Sequence, residues 1–354
     1  MRNTNRLKII IFTSIYICIL GTIVAQGPLA PKVVAQNSIF SNFYNEDCLE
    51  ITLESDFDKL IENKKTITYQ DAWISYKAND GKKIKQLIQI RPRGKSRRII
   101  CDIPPVMMNF ARGNPEAIKI KEDQKLKLVT HCYQRRSAKG QQNILKEFLT
   151  YKLLNMLTEK SFRVQLVRIT YLNTRNHDSS QRFGFIIEGA EELANRLEAT
   201  RTKERDIPVA QLDTDQYNTV AIFQYMISNT DWDFIKLHNV KIFTSESSKK
   251  NMIVPYDFDY AGLVHTDYAR VNPNYDQKEL SDRIFLGAFY EKAELNKTLD
   301  LFKSKKKEML SYCEGLSYLT KKNRRYVRTH LKSFHKSIRK KRFVKREFLK
   351  SRPK

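Results

Sequence analysis

Glycine is sparse in this sequence, and the glycines are not spaced as in a nucleotide-binding loop. Only 11 of the 354 residues are glycine, and no G-x-G-x-x-G motif occurs. A glycine-rich loop that cradles phosphates with backbone N–H groups is therefore excluded. Histidine (6) and cysteine (5) are also few, and no C-x-x-C or Cys/His spacing of a zinc site is present. With 41% hydrophobic residues the chain is nevertheless globular.

Long uncharged apolar runs are absent apart from residues 9–25, which follow Arg2, Arg6 and Lys8. A charged start, an apolar run and small residues at its end are typical of a secretory signal peptide. We predict a signal peptide at residues 1–25, with cleavage near residue 35 or an uncleaved anchor as alternatives. No later segment could cross a bilayer, so the sequence predicts an exported protein: periplasmic, cell-surface or secreted.

Export changes the interpretation of the cysteines. Removal of the signal peptide leaves Cys48, Cys101, Cys132 and Cys313, an even number in a compartment where disulfides persist. Four cysteines allow three connectivities, and buried free thiols are the alternative. We favour a Cys101–Cys132 disulfide because these two residues bracket one strand-rich segment.

Much of the net charge of +25 lies near the C-terminus. Residues 332–354 contain eleven Lys or Arg and one acidic residue, Glu347. Such a segment is typical of a solvated helix with a frayed end, or it binds an anionic surface or polyanion. The chain has neither a helix-turn-helix signal nor the aromatic strands of an RNA-binding sheet, which argues against a nucleic-acid partner.

The periodicities predict an α+β fold. Strands are predicted at 49–55, around a hairpin at Asp80-Gly81, at 117–121, and in "KLKLVTHC", "FRVQLVRITYLN" and "RFGFIIEG". A helix is predicted at residues 142–158 from its apolar stripe. We predict a strand-rich region at 46–190, a linker at 191–212, a mostly helical region at 213–331 and a basic tail at 332–354.

Two segments place polar residues among apolar ones: "SNTDWDFIKLHNVKIF", residues 228–243, and "IVPYDFDYAGLV", residues 253–264. An unpaired buried carboxylate is costly, so clustered Asp and Asn side chains suggest a compensating metal ion. A helix end would supply Asp231, while a hairpin would bring Asn239 and Asp257 onto neighbouring strands. The alternative is that these residues cap turns and a helix end.

The ordered succession of "RPRGKSRR", "KLKLVTHC", "LKEFLTYKLLN", "VRITYLN", "FGFIIEG", "NTDW", "HNVKIF" and "VPYDFDYAGLV" resembles the CotH family of spore-coat protein kinases. This resemblance implies a two-lobed, atypical protein-kinase-like fold with a strand-rich N-lobe, one main N-lobe helix and a mostly helical C-lobe. It also implies ATP with Mg²⁺ or Mn²⁺ as cofactors and a serine-containing protein as the substrate.

The resemblance also implies roles for individual residues. Lys127, or alternatively Lys125, would hold the nucleotide phosphates and pair with Glu147. Asp231 would be the catalytic carboxylate. Metal ligands would be Asn239, Asp257 and, as a second acidic ligand, Asp259. Arg93 and Arg97 in the basic turn would approach phosphates, because a planar guanidinium matches paired oxygens.

Two features depart from the kinase pattern and leave other functions open. Asp231 and Asn239 are eight residues apart, whereas a kinase catalytic loop separates its Asp and Asn by about five. The intervening residues must loop out, and Asp233 competes for the catalytic role. An exported protein also meets little ATP. The alternatives are an exported pseudokinase that binds nucleotide without transfer, and a cell-surface adhesion or polyanion-binding protein.

Overall fold

The computed structural model describes residues 38–45, 48–78, 80–111, 124–132, 138–289 and 291–349. The predicted signal peptide and the predicted strand at 117–121 lie outside these residues. The described residues fall within one compact unit, 35–354. They combine strands and helices, which confirms the α+β class.

Within the described residues the helices are α1 Ile39–Phe43, α2 Phe57–Glu62, α3 Ser96–Ile100, α4 Ala138–Asn155, α5 Ala190–Arg196, α6 Thr214–Met226, α7 Lys292–Gly315, α8 Lys321–Ser337 and α9 Lys341–Phe348. The strands are β1 Leu49–Ser55, β2 Gln70–Lys77, β3 Lys83–Pro92, β4 Val106–Asn109, β5 Lys125–Thr130, β6 Val164–Asn173, β7 Ser179–Ile187, β8 Ala199–Thr202, β9 Val240–Ser245 and β10 Asn251–Pro255. None of the helices in these ranges combines the length and apolarity needed to cross a membrane.

Seven strands close into a barrel in the order β1-β2-β3-β4-β5-β7-β6. All neighbouring strands are antiparallel except β1 and β6. Alternate side chains point inward and fill the interior, among them Leu53, Ile74, Ile88 and Leu126, each fully buried. The hairpin predicted at Asp80-Gly81 joins β2 to β3, and Gly81 takes the positive φ of 85° that the turn requires.

Helix α4 packs against β6 and β7 of the barrel. It was predicted at residues 142–158, and it begins four residues earlier and ends three residues earlier. The predicted apolar stripe is buried, but so are Lys146 (5% exposed) and Glu147 (2% exposed). A helix that buries charged residues on its core side must supply them with partners.

The predicted linker at residues 191–212 is instead folded structure. It contains most of α5, all of β8 and the 3₁₀ turn Val209–Gln211. Strand β8 pairs with β9, and the sheet order is β10-β9-β8. Because β8 is a short edge strand with mostly exposed side chains, its sequence resembles that of a linker.

The predicted boundary of a basic tail at Lys332 is also wrong. Lys332 lies in the middle of α8, and the tail residues Phe334, Ile338 and Phe348 are buried in the same core as α4 and α6. Up to Arg346, the lysines and arginines of this segment occupy the outer face while the apolar residues recur at helical spacing on the inner face. Residues 332–349 therefore belong to the folded unit.

The structure joins Cys101 to Cys132, which confirms the favoured disulfide; neither Cys48 nor Cys313 takes part in this bond. Cys101 ends α3, and Cys132 lies two residues after β5. The bond closes a loop with a sequence separation of 31. It therefore fixes the short helix α3 to one end of the barrel.

Replacing both cysteines, in Cys101→Ser/Cys132→Ser, should lower the free energy of unfolding by about 3–4 kcal/mol, because the disulfide restricts the unfolded chain. Urea denaturation with and without reductant measures this. Reduced wild-type protein should match the double variant. Equal stability of oxidised and reduced wild type would contradict the bond.

The change Phe334→Ala should lower the free energy of unfolding by about 3–5 kcal/mol, because it leaves a cavity in the core around α8. Lys336→Ala, on the exposed side of the same helix, is the matched control and should change stability little. Thermal and urea unfolding of both variants check this expectation. A stable Phe334→Ala variant would restore the prediction of a solvated tail.

Candidate functional site

One cleft of about 530 Å³ brings together all eight residues singled out from the sequence. Basic residues from the β3–α3 turn and β5 face acidic and amide residues from the segments after α6 and β10. The eight are Arg93, Arg97, Lys127, Glu147, Asp231, Asn239, Asp257 and Asp259. The cleft confirms that they are neighbours, while their roles stay predictions.

The backbone after α6 holds Asp231 at the cleft. Asn229 Oδ1 accepts a hydrogen bond from the Asp231 backbone N–H at 3.0 Å. The amide Nδ2 of Asn239 donates to Asp231 Oδ2 at 2.8 Å and to the Asp231 carbonyl at 2.9 Å. Asp231 and Asn239 are thus in contact although eight residues separate them.

The intervening residues loop out as the sequence required. Backbone hydrogen bonds between Asp233 and His238, at 3.0 and 2.8 Å, close the loop. Asp233 Oδ1 accepts the backbone N–H groups of Ile235 and Lys236 inside this loop. Because Asp233 does not line the cleft, the structure favours Asp231 over Asp233 for contact with a ligand.

Asn239 and Asp257 lie at the same end of the β9–β10 hairpin, where Val240 pairs with Pro255. Both have left-handed backbones, with φ of 51° and 64°. Such φ values are uncommon outside glycine and concentrate at functional sites. The Asp257 N–H donates to Tyr151 Oη at 2.9 Å. Within the described chain, neither Asp257 carboxylate oxygen has a hydrogen bond or an ion pair.

Asp259 is more deeply buried, with 5% exposed. Its Oδ2 accepts a hydrogen bond from Tyr268 Oη at 2.8 Å and lies 3.8 Å from Arg97 Nη1. Burial and the neighbouring Asp257 carboxylate raise the pKa of Asp259 well above its ordinary value. Only Oδ1 of this carboxylate is left for another partner.

Glu147 pairs with Arg97, and this corrects the predicted pairing with Lys127. Arg97 Nη1 donates to Glu147 Oε2 at 3.3 Å, and Nη2 donates to the Thr130 carbonyl at 2.8 Å. Burial raises the pKa of Glu147 to about 7, against the opposing effect of Arg97. The prediction failed because α3 places a guanidinium between β5 and α4, an arrangement that strand and helix periodicity do not reveal.

Lys127 instead faces the cleft without a hydrogen bond or ion pair among the described residues. Its Nζ lies 5.0 Å from the Tyr256 ring centroid, a cation–π contact. Burial, together with repulsion from Arg93 and Lys241, lowers the pKa of Lys127 to about 7. The competing candidate Lys125 is exposed and does not line the cleft.

The donor set of this cleft fits a divalent cation that is held jointly by the protein and by phosphate groups of a substrate. Among the described residues, no three His, Cys, Asp or Glu side chains are grouped so that they could hold a metal ion. Mg²⁺ does not need such a cage, because it is usually held by one or two carboxylates together with substrate phosphates. Asp257, with its unpaired carboxylate, and the Oδ1 atom of Asn239 fit that mode of binding.

A larger cavity, of about 650 Å³, lies beside α2 and contains none of the eight residues. Its lining includes His131 and Tyr171, together with side chains of both charge signs such as Asp102 and Arg182. We place the candidate site in the smaller cleft because its lining contains all eight residues that the sequence singled out.

Sequence reasoning gave no role to three residues that shape the cleft. His238 contacts Asp231, Tyr268 holds Asp259, and Tyr151 fixes the backbone of Asp257. The position of His238 directly before Asn239 was a usable signal. Tyr151 is 106 residues away from Asp257, and only the fold brings the two together, whereas Tyr268 follows Asp259 by nine residues.

No family model matches the sequence, and no curated protein matches it. Among solved structures, the chain is similar to the crystal structure of the Helicobacter pylori proinflammatory kinase CtkA. The TM-score is 0.37 and the sequence identity is 11%, over 78% of this chain and 92% of that chain. Membership of the CotH family stays a prediction.

The change Glu147→Gln should remove a pH dependence of stability. The folded-state pKa of Glu147 is raised from 4.5 to about 7, so its contribution is fully present below pH 4.5 and is lost as pH rises towards 7. The wild-type free energy of unfolding should fall relative to that of Glu147→Gln across this window. Urea denaturation at several pH values measures the difference.

The exposed Glu204→Gln is the control and should parallel wild type at every pH. Parallel curves for wild type and Glu147→Gln would show that Glu147 is ionised throughout, held charged by Arg97.

Proposed function

We propose that this protein is a metal-dependent phosphotransferase that moves the terminal phosphoryl group of ATP to a serine hydroxyl of a protein. One observation carries the proposal: basic and acidic side chains line one cleft, and among the described residues Lys127 and the Asp257 carboxylate have no hydrogen bond or ion pair. Phosphates together with a divalent cation supply both of the missing charges. The two-lobed kinase-like architecture is part of this proposal.

The basic part of the cleft would bind the phosphates. Burial lowers the pKa of Lys127 to about 7, and the positive charge of Arg93 contributes to this shift. A bound polyphosphate would reverse this effect by favouring the charged form. Arg97 contributes less, because Glu147 and Thr130 engage two of its nitrogens; its Nε is buried without a partner.

The acidic part of the cleft would face the phosphoryl group during transfer. Asp257 and Asn239 would hold Mg²⁺ or Mn²⁺, with Asp259 as a second acidic ligand, and the cation would neutralise charge on the transferred group. Asp231 would be the catalytic carboxylate that assists removal of the proton from the acceptor hydroxyl. Tyr151 and Asn229 fix the backbones of Asp257 and Asp231, so both side chains are positioned before ligand binds.

We further propose that the protein acts outside the cytoplasm, as the Cys101–Cys132 disulfide favours. The exposed lysines and arginines of α8 and α9 would attract an anionic surface or polyanion through salt-sensitive electrostatics. This second contact would concentrate the protein near its substrates and is separate from the cleft.

The change Asp257→Asn should abolish the stabilisation of the protein by ATP with Mg²⁺ or Mn²⁺, because it removes the carboxylate that would hold the cation. Wild type should show a rise in melting temperature that grows with nucleotide concentration. Thermal-shift titrations with ATP, each metal, and both together measure this. Labelled-phosphate transfer to the protein itself and to casein should fall with it.

Asp233→Asn is the matched control, since Asp233 lies in the neighbouring loop but outside the cleft; it should bind and transfer as wild type does. A wild-type protein with no shift for any nucleotide and metal pair would overturn the proposed function. A shift that survives Asp257→Asn would move the cation to other residues.

A further inference from the structure

The loop between Asp231 and Asn239 places His238 in contact with the carboxylate of Asp231, the candidate catalytic residue. His238 Nε2 lies 2.7 Å from Asp231 Oδ1. The backbone bonds between Asp233 and His238 already close the loop, and Leu237 takes a left-handed φ of 54° just before the histidine. The contact between His238 and Asp231 is therefore not needed to close the loop.

Both carboxylate oxygens of Asp231 already have partners. Oδ1 contacts His238, and Oδ2 accepts a hydrogen bond from Asn239 Nδ2 at 2.8 Å. Both oxygens keep further lone pairs, but a hydroxyl group that approached Asp231 directly would share a carboxylate that already has two partners. The imidazole offers a second route to the same carboxylate.

His238 is placed to receive such a group. Its side chain is 55% exposed, and the residue lines the cleft. An ionised carboxylate only accepts hydrogen bonds, so Nε2 is the nitrogen that donates to Asp231. In a neutral imidazole the other nitrogen, Nδ1, then carries a lone pair. Within the described chain, Nδ1 has no hydrogen-bond partner.

We propose that His238 and Asp231 form a catalytic pair in which His238 Nδ1 contacts the acceptor hydroxyl and Asp231 orients the ring. This inference rests on the proposed phosphotransferase function and deepens it. The arrangement has the logic of a hydrolase triad, in which a carboxylate fixes the histidine tautomer and stabilises the imidazolium that forms.

The hydroxyl oxygen forms a bond to the terminal phosphorus of ATP while the bond from that phosphorus to its bridging oxygen breaks, and ADP leaves with the electron pair. The hydroxyl proton passes to His238 Nδ1 and then to water. Asp231 keeps its charge throughout and compensates the imidazolium.

Two substitutions separate a chemical role from a structural one. His238→Ala removes the ring, whereas His238→Gln keeps an amide N–H that can still donate to Asp231 but has no basic nitrogen. Both should retain the melting-temperature rise with ATP and Mg²⁺. Both should lower phosphate transfer to casein by about 10²- to 10⁴-fold, the range of a general base. Added imidazole should restore part of the rate in His238→Ala and none in Asp231→Asn.

Lys236→Ala, an exposed change in the same loop, is the control and should transfer at the wild-type rate. Nitrogen-15 spectra of the wild-type ring should show the Nε2–H tautomer, and Asp231→Asn should weaken that preference.

Three results would overturn the role of His238. One is transfer at the wild-type rate in His238→Ala. Another is full activity in His238→Gln combined with no recovery of His238→Ala by imidazole. Either result would leave the phosphotransferase function standing and remove the histidine from its chemistry. An Nδ1–H tautomer would do the same. A wild type that binds no nucleotide and transfers no phosphate would overturn the proposed function itself, and this role with it.

Discussion

The buried contact of Arg97 with Glu147 is the interaction on which the candidate site depends. It joins α3 to α4, and the same guanidinium reaches the Thr130 carbonyl at the end of β5 and lies 3.8 Å from Asp259. Two buried carboxylates without this cation would carry a desolvation cost of several kcal/mol per ion. The Cys101–Cys132 disulfide anchors the other end of α3. The short helix is thus fixed covalently and electrostatically, and the basic side of the cleft is fixed with it.

The cleft separates charges that the protein does not fully neutralise. On one side, burial and mutual repulsion lower the pKa of Lys127; on the other, burial and Asp257 raise the pKa of Asp259. Strongly perturbed pKa values that cluster in one cleft are typical of a functional site. The left-handed backbones of Asn239 and Asp257 add conformational strain in the same place.

Local residue patterns predicted secondary-structure elements correctly where an element depends mainly on its own residues. The apolar periodicity of α4 and the Asp80-Gly81 turn predicted those elements with small errors at their ends. Pattern failed for β4, whose four residues become a strand only by pairing with β3 and β5. It failed similarly for β8, whose identity depends on β9.

The sequence by itself determined the chemistry available in the cleft and its order along the chain. Carboxylates, an amide and basic residues occupy segments whose ends could be anticipated, and the disulfide partners were anticipated too. Only the tertiary structure decided the pairings: Arg97 rather than Lys127 meets Glu147, His238 meets Asp231, and Lys127 rather than Lys125 faces the cleft. The reason is physical. Residue type and spacing fix local conformation, whereas distances between side chains far apart in sequence depend on strand register and barrel closure.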